Sequence, residues 1–240
     1  MARHVLISGG GTGIGATLAR SFASEGYSVS VLGRRLEPLQ EVAQETNGLA
    51  IQCDVTDRTA IDEALAKATE VFGYPSVVIA NAGNTPSSPF DETSTEEFDQ
   101  TFAVNVGGTF HLWQAALPRL KAEGQGRLIA IASTAGLQGY PYVAPYCAAK
   151  HAVIGLVRAL ARELSPTFIT VNAICPGFIE TPRFMNGPEA LGEDLEPQVP
   201  GTPQNQFIST EEVAAAAIYL ASEGAAAVNG HTLTLSRGAM

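Results

Sequence analysis

A glycine-rich turn between an apolar run and a helical segment constrains the fold of this chain more than any other feature. Residues 5–7 read Val-Leu-Ile, the short apolar run that is typical of a buried strand. Residues 8–15 read Ser-Gly-Gly-Gly-Thr-Gly-Ile-Gly, and residues 16–25 then carry apolar side chains at helical spacing. Glycines let the backbone approach a pyrophosphate closely, and a helix N-terminus offers free N–H groups and a positive dipole end. A flexible loop would explain the glycines alone, but the flanking strand and helix favour a dinucleotide-binding turn.

Apolar runs and helical segments alternate along the whole chain of 240 residues. This alternation predicts an α/β fold of the Rossmann type, a doubly wound parallel β-sheet with helices on both faces. A chain of this length suits one domain, so residues 1–240 are treated as one unit. The predicted strands are 4–8, 28–32, 49–52, 77–80, 127–133, 168–174 and 232–235. The predicted helices are 13–25, 36–46, 59–72, 95–105, 106–121, 144–164 and 210–221. Ligands of such folds bind at the carboxyl ends of the strands.

A tyrosine and a lysine stand four residues apart, at positions 146 and 150. On a helix, residues at this spacing lie on one face. A phenol is a poor acid or base at neutral pH, but a neighbouring ammonium stabilises the phenolate and makes proton transfer possible. The pair alone is a weak signal, because an amphipathic helix with two surface side chains gives the same pattern. Its weight comes from the other motifs.

Together these features resemble the short-chain dehydrogenase/reductase family, and the resemblance covers nearly the whole chain. The family carries Thr-Gly-x-x-x-Gly-x-Gly after its first strand, where this chain has Ser8 in place of threonine. Its Asn-Ala-Gly after the fourth strand matches residues 81–83, and its serine thirteen residues before the tyrosine matches Ser133. A Pro-Gly pair after the sixth strand matches residues 176–177. Each motif is common by itself, whereas their joint order and spacing are specific.

The resemblance implies a nicotinamide-dependent oxidoreductase and gives roles to particular residues. It implies that Tyr146 is the general acid/base and that Ser133 hydrogen-bonds the reacting oxygen. Lys150 would stabilise the phenolate and bind the nicotinamide ribose, and Asn105 would hold a water that links Lys150 to solvent. No metal is expected. The cofactor-binding positions, besides Tyr146 and Lys150, are Gly9, Gly11, Thr12, Gly13, Ile14, Gly15, Arg34, Arg35, Asp54, Val55, Asn81, Ala82, Gly83, Pro176, Gly177, Ile179 and Thr181.

Charge at the end of the second strand bears on the choice of cofactor. NAD enzymes place an acidic residue there to bond the ribose 2′-hydroxyl, whereas this chain has Arg34 and Arg35. Arginine pairs with a 2′-phosphate through two hydrogen bonds, and a carboxylate would repel it. A solvated basic pair is the alternative, but cations at a helix N-terminus oppose the helix dipole. We predict NADP(H) over NAD(H), although Thr12 stands where some NADP-dependent relatives carry a basic residue.

The substrate is less constrained than the cofactor. Residues 178–207 contain five prolines and no long apolar period, which predicts a substrate lid. Aromatic residues should line the pocket, which indicates an apolar or aromatic ketone, or an acyl chain. A free ketone or secondary alcohol is the leading substrate class, for the reasons that follow. Trp113 would also contribute to the pocket, at a greater distance from the substrate. The residues expected to line the pocket are Tyr140, Tyr142, Phe178 and Phe184.

Residues 172–182 resemble those of 3-oxoacyl thioester and polyketide ketone reductases, so a thioester of coenzyme A or a carrier protein is the alternative substrate. Carrier-protein reductases commonly carry basic residues before the fifth and sixth strands, where this chain has Gly124 and Thr167. Two other classes stay open. A cofactor-binding sensor or scaffold without chemistry is opposed by the four complete catalytic positions. A dehalogenase with a halide pocket is opposed by the glycine turn and by Lys150.

Composition limits the partners and the compartment. A net charge of −10 opposes nucleic acid or an anionic membrane as a partner. Three cysteines without metal-ligand spacing fit reduced thiols in the cytoplasm, and neither a signal peptide nor a membrane span is expected. The family resemblance implies a homotetramer, or a homodimer, in which helices 106–121 and 144–164 pack between subunits.

Overall fold

The structure is a computed structural model that describes residues 3–179 and 206–239. Seven strands form one parallel sheet in the order β3-β2-β1-β4-β5-β6-β7. The strands are β1 (His4–Ser8), β2 (Ser28–Gly33), β3 (Leu49–Gln52), β4 (Val77–Ala80), β5 (Gln125–Ile131), β6 (Phe168–Pro176) and β7 (Thr232–Leu235). The helices between them are α1 (Gly13–Ser24), α2 (Leu36–Thr46), α3 (Arg58–Phe72), α4 (Thr95–Phe102), α5 (Gly108–Glu123), α6 (Ala144–Glu163) and α7 (Thr210–Ala221). The predicted doubly wound single-domain fold is therefore confirmed.

Two apolar cores lie on the two faces of the sheet. Successive residues of a strand point to opposite faces, so Val5 and Ile7 enter one core and Leu6 enters the other. The first core lies beneath α1, α2 and α7, and the second lies beneath α3, α5 and α6. Because both faces are covered, the central strands are continuous apolar runs rather than alternating ones.

Three helices, α3, α4 and α7, begin at a side chain that caps them. Asp57 accepts hydrogen bonds from the N–H groups of Thr59 and Ala60 at the start of α3. Ser209 and Glu212 form a reciprocal capping box at the start of α7. These side chains satisfy N–H groups that have no acceptor within their own helix.

Two predicted boundaries are wrong. Helices 95–105 and 106–121 are not separated, because α4, a π-turn (Ala103–Gly107) and α5 follow one another without a break. No proline stands between them to end the helix, and Gly107 and Gly108 keep right-handed helical dihedral angles. Strand 127–133 instead covers Gln125–Ile131, because Ser133 leaves the sheet and caps a short 3₁₀ turn, Thr134–Gly136.

Most of the predicted lid at 178–207 lies outside the described residues. Its two ends, where the chain is described, pair with each other: Ile208 N–H donates to the Phe178 carbonyl at 2.8 Å. Within residues 3–179 and 206–239, every helix is too short or too polar to span a membrane.

Candidate active site at the carboxyl edge of the sheet

The glycine turn lies at the carboxyl end of β1 and joins the end of β4. The Ser8 hydroxyl oxygen accepts hydrogen bonds from the N–H groups of Asn81 and Ala82, at 3.0 and 3.1 Å. The Asn81 side chain donates in return to the carbonyl oxygens of Ser8 and Gly9. Serine thus supplies the acceptor at a position where the family pattern has threonine.

Several glycines of the turn leave no room for a side chain. A Cβ on Gly15 would lie 2.0 Å from the Gly9 carbonyl oxygen and 2.7 Å from the Asn81 side-chain nitrogen. Gly9 and Gly13 have φ values of +65° and +53°, a region that L side chains rarely adopt. The backbone therefore folds back on itself and presents its surface without any Cβ in the way.

The N-terminus of α1 directly follows this turn. Its N-cap residue, Thr12, makes no side-chain cap bond, and the first turn of α1 carries no acidic residue. The first N–H groups of a helix have no acceptor within the helix, so this end is free to bind an anion. Ile14 is half-buried and packs against the core, while Gly11 approaches the start of α2 at Pro38. This arrangement fits the pyrophosphate of a dinucleotide.

The ends of β2 and β3 carry the residues expected around the adenosine. Arg34 and Arg35 are exposed directly after β2, and no carboxylate in the described part of the chain forms an ion pair with either. The Asp54 carboxylate accepts from the backbone N–H of Thr56, which lowers the pKa of Asp54, and the charge of Arg34 acts in the same direction. Val55 is buried, with its side chain against Gly108, so only its main chain is left to face a ligand.

Tyr146 and Lys150 lie on the first turns of α6. Lys150 is 5% exposed and donates a hydrogen bond of 2.9 Å to the carbonyl oxygen of Ile131 in β5. Its Nζ lies 5.5 Å from the centroid of the Tyr146 ring. The Tyr146 hydroxyl has no hydrogen-bond partner among the described residues, and neither have the two other N–H bonds of Lys150.

Ser133 follows β5, beside the same helix. Its hydroxyl oxygen accepts from the Ala135 N–H at 3.1 Å, and its proton has no acceptor in the described part of the protein. Gly136 lets α6 approach, because a Cβ there would lie 2.8 Å from the Lys150 carbonyl oxygen and 2.7 Å from the Ile154 side chain. Gly136 was not among the predicted site residues, because its role depends on the approach of α6, which no local sequence pattern reveals.

Asn105 lies within the π-turn and is 1% exposed. Its side-chain nitrogen lies within hydrogen-bond distance of the Asn84 main-chain oxygen at 3.0 Å, the Asn84 Oδ1 at 2.8 Å and the Thr101 carbonyl at 3.0 Å. Its Oδ1 is buried and has no hydrogen-bond partner in the part of the chain that the structure describes. π-turns often mark functional sites, and a buried acceptor without a donor is costly unless a water or ligand supplies one.

The predicted substrate residues are only partly brought together. The Tyr140 ring meets the Phe178 ring edge-on at 5.7 Å, while its hydroxyl bonds the side chains of Thr134 and Gln138. Tyr142 is 57% exposed and has a φ of +64°. The predicted place of Trp113 at the outer part of the pocket is wrong. Its side chain is 1% exposed and lies in the core between α5 and the sheet, because a helix that covers a sheet buries its large apolar side chains.

Residues after β6 complete this edge. Gly177 N–H donates to the Leu235 carbonyl at 2.8 Å, directly after Pro176 ends the strand. Ile179 is half-buried and forms a parallel bridge with Ile208. Thr181 and Phe184 lie outside the described residues.

A dinucleotide-type glycine turn on a doubly wound sheet, with a tyrosine and a buried lysine at the same edge, defines the class of nucleotide-dependent oxidoreductases. The short chain dehydrogenase family model matches residues 3–191. The chain is 31% identical to D-beta-hydroxybutyrate dehydrogenase of Rhizobium meliloti, over 99% of this chain and 98% of that protein. It is 33% identical to 3-oxoacyl-[acyl-carrier-protein] reductase of Thermotoga maritima, over 97% of this chain and 96% of that protein.

Among solved structures, a variant of actinorhodin polyketide ketoreductase with NADPH matches with a TM-score of 0.94 and 32% identity, over 99% of this chain and 97% of that one. The protein belongs to the short-chain dehydrogenase/reductase family. The resemblance that the motifs predicted is thereby confirmed, and the protein is an oxidoreductase of hydroxyl or ketone groups.

Proposed function

We propose that this protein is an NADP(H)-dependent oxidoreductase that interconverts a ketone and a secondary alcohol, with Tyr146 as its general acid/base. One observation carries the proposal. The hydroxyl of Tyr146, the hydroxyl proton of Ser133 and two N–H bonds of Lys150 all lack protein partners among the described residues. These groups lie at the edge of the sheet that also carries the glycine turn, so they are free to act on a ligand there.

The proton chemistry follows from these groups. A nicotinamide bound at this edge supplies the hydride in reduction and accepts it in oxidation. During reduction, Tyr146 donates its proton to the carbonyl oxygen of the substrate, and the Lys150 ammonium stabilises the phenolate that remains. Ser133 donates a hydrogen bond to the same oxygen, because the Ala135 N–H already occupies one of its lone pairs. Oxidation of the alcohol reverses these transfers.

Asn105 connects Lys150 to solvent in this proposal. A Cβ placed on Gly83 would lie 2.7 Å from Asn105 Oδ1 and 3.7 Å from Lys150 Nζ, so both atoms border the same glycine. Among the described residues, Asn105 Oδ1 has no donor, and Lys150 Nζ has two N–H bonds left beyond the one it donates to the Ile131 carbonyl. A water between them would satisfy both and return a proton to the site after each reduction.

NADP(H) is the proposed cofactor because Arg34 and Arg35 are exposed and unpaired with carboxylates at the end of β2, within the described residues. A 2′-phosphate would pair with one or both guanidinium groups. The actinorhodin polyketide ketoreductase variant that this chain resembles was solved with NADPH, which agrees with this choice.

The proposed substrate is a free ketone or secondary alcohol with an apolar or aromatic group. The Tyr140 hydroxyl is hydrogen-bonded to the side chains of Thr134 and Gln138, so Tyr140 presents its ring rather than a polar group to a substrate. The Phe178 ring packs against it and extends this apolar surface. A 3-oxoacyl thioester is the second candidate, supported by the similarity to 3-oxoacyl-[acyl-carrier-protein] reductase. Gly124 and Thr167 oppose a carrier protein, because Gly124 has no side chain and the Thr167 hydroxyl is bonded to Leu164 and Ile169.

We also propose a homotetramer in the cytoplasm. On α5, Phe110 is 43% exposed, and the exposed face of α6 carries the small residues Ala148, Gly155 and Ala159. Small residues let helices approach closely, so these two helices suit contacts between subunits. Cys53, Cys147 and Cys175 are free thiols, which fits a reducing compartment.

The test is a fluorescence titration of the purified protein with NADPH and NADH, followed by turnover assays with free ketones, secondary alcohols and acetoacetyl-CoA. We expect tighter binding of NADPH and a higher kcat/KM for a free ketone than for the thioester. Tight binding without turnover on any substrate would support a sensor instead. Failure to bind either nucleotide would overturn the proposal.

A further inference from the structure

Asn84, which directly follows the Asn-Ala-Gly motif, has its side-chain oxygen held by the interior of the protein. Asn105 Nδ2 lies 2.8 Å from Asn84 Oδ1 and 3.0 Å from the Asn84 main-chain oxygen. The third neighbour of that nitrogen is the Thr101 carbonyl, so the amide nitrogen of Asn105 faces acceptors only. An Asn84 amide turned the other way would bring two donor nitrogens together, and this orientation is therefore excluded.

The consequence is that the Asn84 side-chain nitrogen faces away from Asn105. Asn84 is half-buried, yet this nitrogen is not among the buried polar atoms, so it is open to solvent. Neither of its two N–H bonds has an acceptor among the described residues. Asn84 thus presents two N–H donors in a fixed orientation near the carboxyl end of β4, because its Oδ1 is held by the hydrogen bond from Asn105.

The groups around Asn84 include one unsatisfied acceptor, Asn105 Oδ1, which borders the preceding Gly83 but makes no hydrogen bond to the Asn84 side-chain nitrogen. Lys150 Nζ lies near the preceding Gly83 and is a donor too, with two N–H bonds that have no acceptor in the described part of the chain. Gly83 is exposed and has no side chain to shield Lys150 Nζ or Asn105 Oδ1, the two atoms that border it. A charged donor, a neutral donor and one acceptor therefore lie around one glycine, a combination suited to a ligand with two adjacent hydroxyl groups, which both accept and donate.

We propose that Asn84 is a cofactor-binding residue that donates a hydrogen bond to a hydroxyl oxygen of the ribose on the nicotinamide side. The vicinal hydroxyls of a ribose are two adjacent neutral oxygens. The pyrophosphate has its own site at the glycine turn and the N-terminus of α1, on the β1 side of this edge. The assignment rests on the proposed function, since it needs a nicotinamide dinucleotide at this edge.

The test compares a whole and a shortened nucleotide. Asn84→Leu keeps the branched shape of the side chain at Cγ, removes both donors and keeps water out, while Asn105 retains the main-chain oxygen of residue 84 and the Thr101 carbonyl. We expect this variant to bind NADPH about fivefold more weakly, the loss of one net hydrogen bond. Its Kd for 2′,5′-ADP, which lacks the nicotinamide ribose, should equal that of the wild type and so verifies the fold. Asn84→Ala should show a smaller loss, because water can replace the amide.

Thr85→Ala is the matched control, since Thr85 is an exposed neighbour without a side-chain hydrogen bond among the described residues. It should bind both nucleotides as the wild type does. The inference would be overturned if Asn84→Leu left the Kd for NADPH unchanged. It would also be overturned if the variant lost the same affinity for NADPH and for 2′,5′-ADP. If only the KM of the ketone rose, the donors would belong to the substrate and the ribose assignment would be wrong. Wild-type protein that binds no nucleotide would instead refute the proposed function.

Discussion

Lys150 Nζ lies 5.5 Å from the centroid of the Tyr146 ring and donates a hydrogen bond of 2.9 Å to the carbonyl oxygen of Ile131. The bond to β5 holds the lysine against the sheet, while the spacing on α6 brings the tyrosine over the same edge. A buried ammonium with an incomplete set of acceptors is costly to maintain. Its position beside a phenol that has no partner among the described residues supports the role proposed for it.

Replacement of Tyr146 by phenylalanine should abolish turnover and spare cofactor binding. Loss of a general acid/base costs about 10²- to 10⁴-fold in rate, so kcat for ketone reduction should fall by at least ~10². The Kd for NADPH, measured by fluorescence titration, should change less than about threefold, because only one hydroxyl is lost. Tyr219→Phe, at an exposed position on α7, is the control and should retain full kcat. Substantial residual activity in Tyr146→Phe would contradict the proposed role.

Arg34→Asp should move cofactor preference toward NADH. A charge-assisted hydrogen bond contributes about 1.5–3 kcal/mol, so the ratio of kcat/KM for NADPH to that for NADH should fall by ~10- to 100-fold. Arg58→Asp makes the same charge change at an ion-paired position on α3 and should leave the ratio unchanged. If both variants give the wild-type ratio, the argument from the end of β2 is wrong.

Gly15→Ala should weaken binding of any dinucleotide. The added Cβ would lie 2.0 Å from the Gly9 carbonyl oxygen, so the turn has to open to accept it. We expect a Kd for NADPH raised by at least ~10-fold and a lower Tm, since backbone shifts from overpacking cost roughly 1–3 kcal/mol. The nearest atom to a Cβ on Gly224 is the Ser222 side-chain oxygen at 3.4 Å, so Gly224→Ala should bind normally. Equal binding by the two variants would count against the close packing of the turn.

His4 should make stability depend on pH. Its ring nitrogens contact the Gly73 carbonyl at 2.7 Å and the Ser30 hydroxyl at 2.9 Å, and burial lowers the pKa of His4 below its ordinary value. The unfolded chain therefore takes up a proton that the folded chain excludes, and stability falls as pH drops below about 6.5. Denaturant unfolding at pH 5.5 and 7.5 should show a smaller difference for His4→Gln than for the wild type. The control is His151→Gln, at an exposed position, which should show the same difference between the two pH values as the wild type. If His4→Gln also showed the wild-type difference, His4 would not be the source of the pH dependence.

The assembled protein should have four times the subunit mass of 25.1 kDa when measured by light scattering after gel filtration. Phe110→Glu places a charge on the exposed face of α5 and should shift the mass to a smaller species. Phe168→Glu is the control, because Phe168 is the first residue of β6 and is 82% exposed. This variant should have the same mass as the wild type. A monomeric wild-type protein would contradict the proposal.

The order of strands and helices and the glycine turn were predictable from the sequence, because apolar periodicity and missing side chains are local properties. The apolar run Val5 to Ile7 predicts a buried strand, and the glycines at 9–15 predict a turn in which backbone segments approach each other closely. Both are observed. Tyr146 and Lys150 shared a face because four residues make about one helical turn.

Only the tertiary structure decided which groups lost or kept a partner. Asn105 and Asn84 are 21 residues apart, and nothing local indicates that one amide orients the other or that Oδ1 of Asn105 stays unsatisfied. Tyr140 turned its hydroxyl inward, and Trp113 entered the core, because the packing of α5 and of the 3₁₀ turn on the sheet set their surroundings. Hydrogen bonds and burial depend on which elements meet in space, and local patterns of residues along the chain do not reveal those contacts.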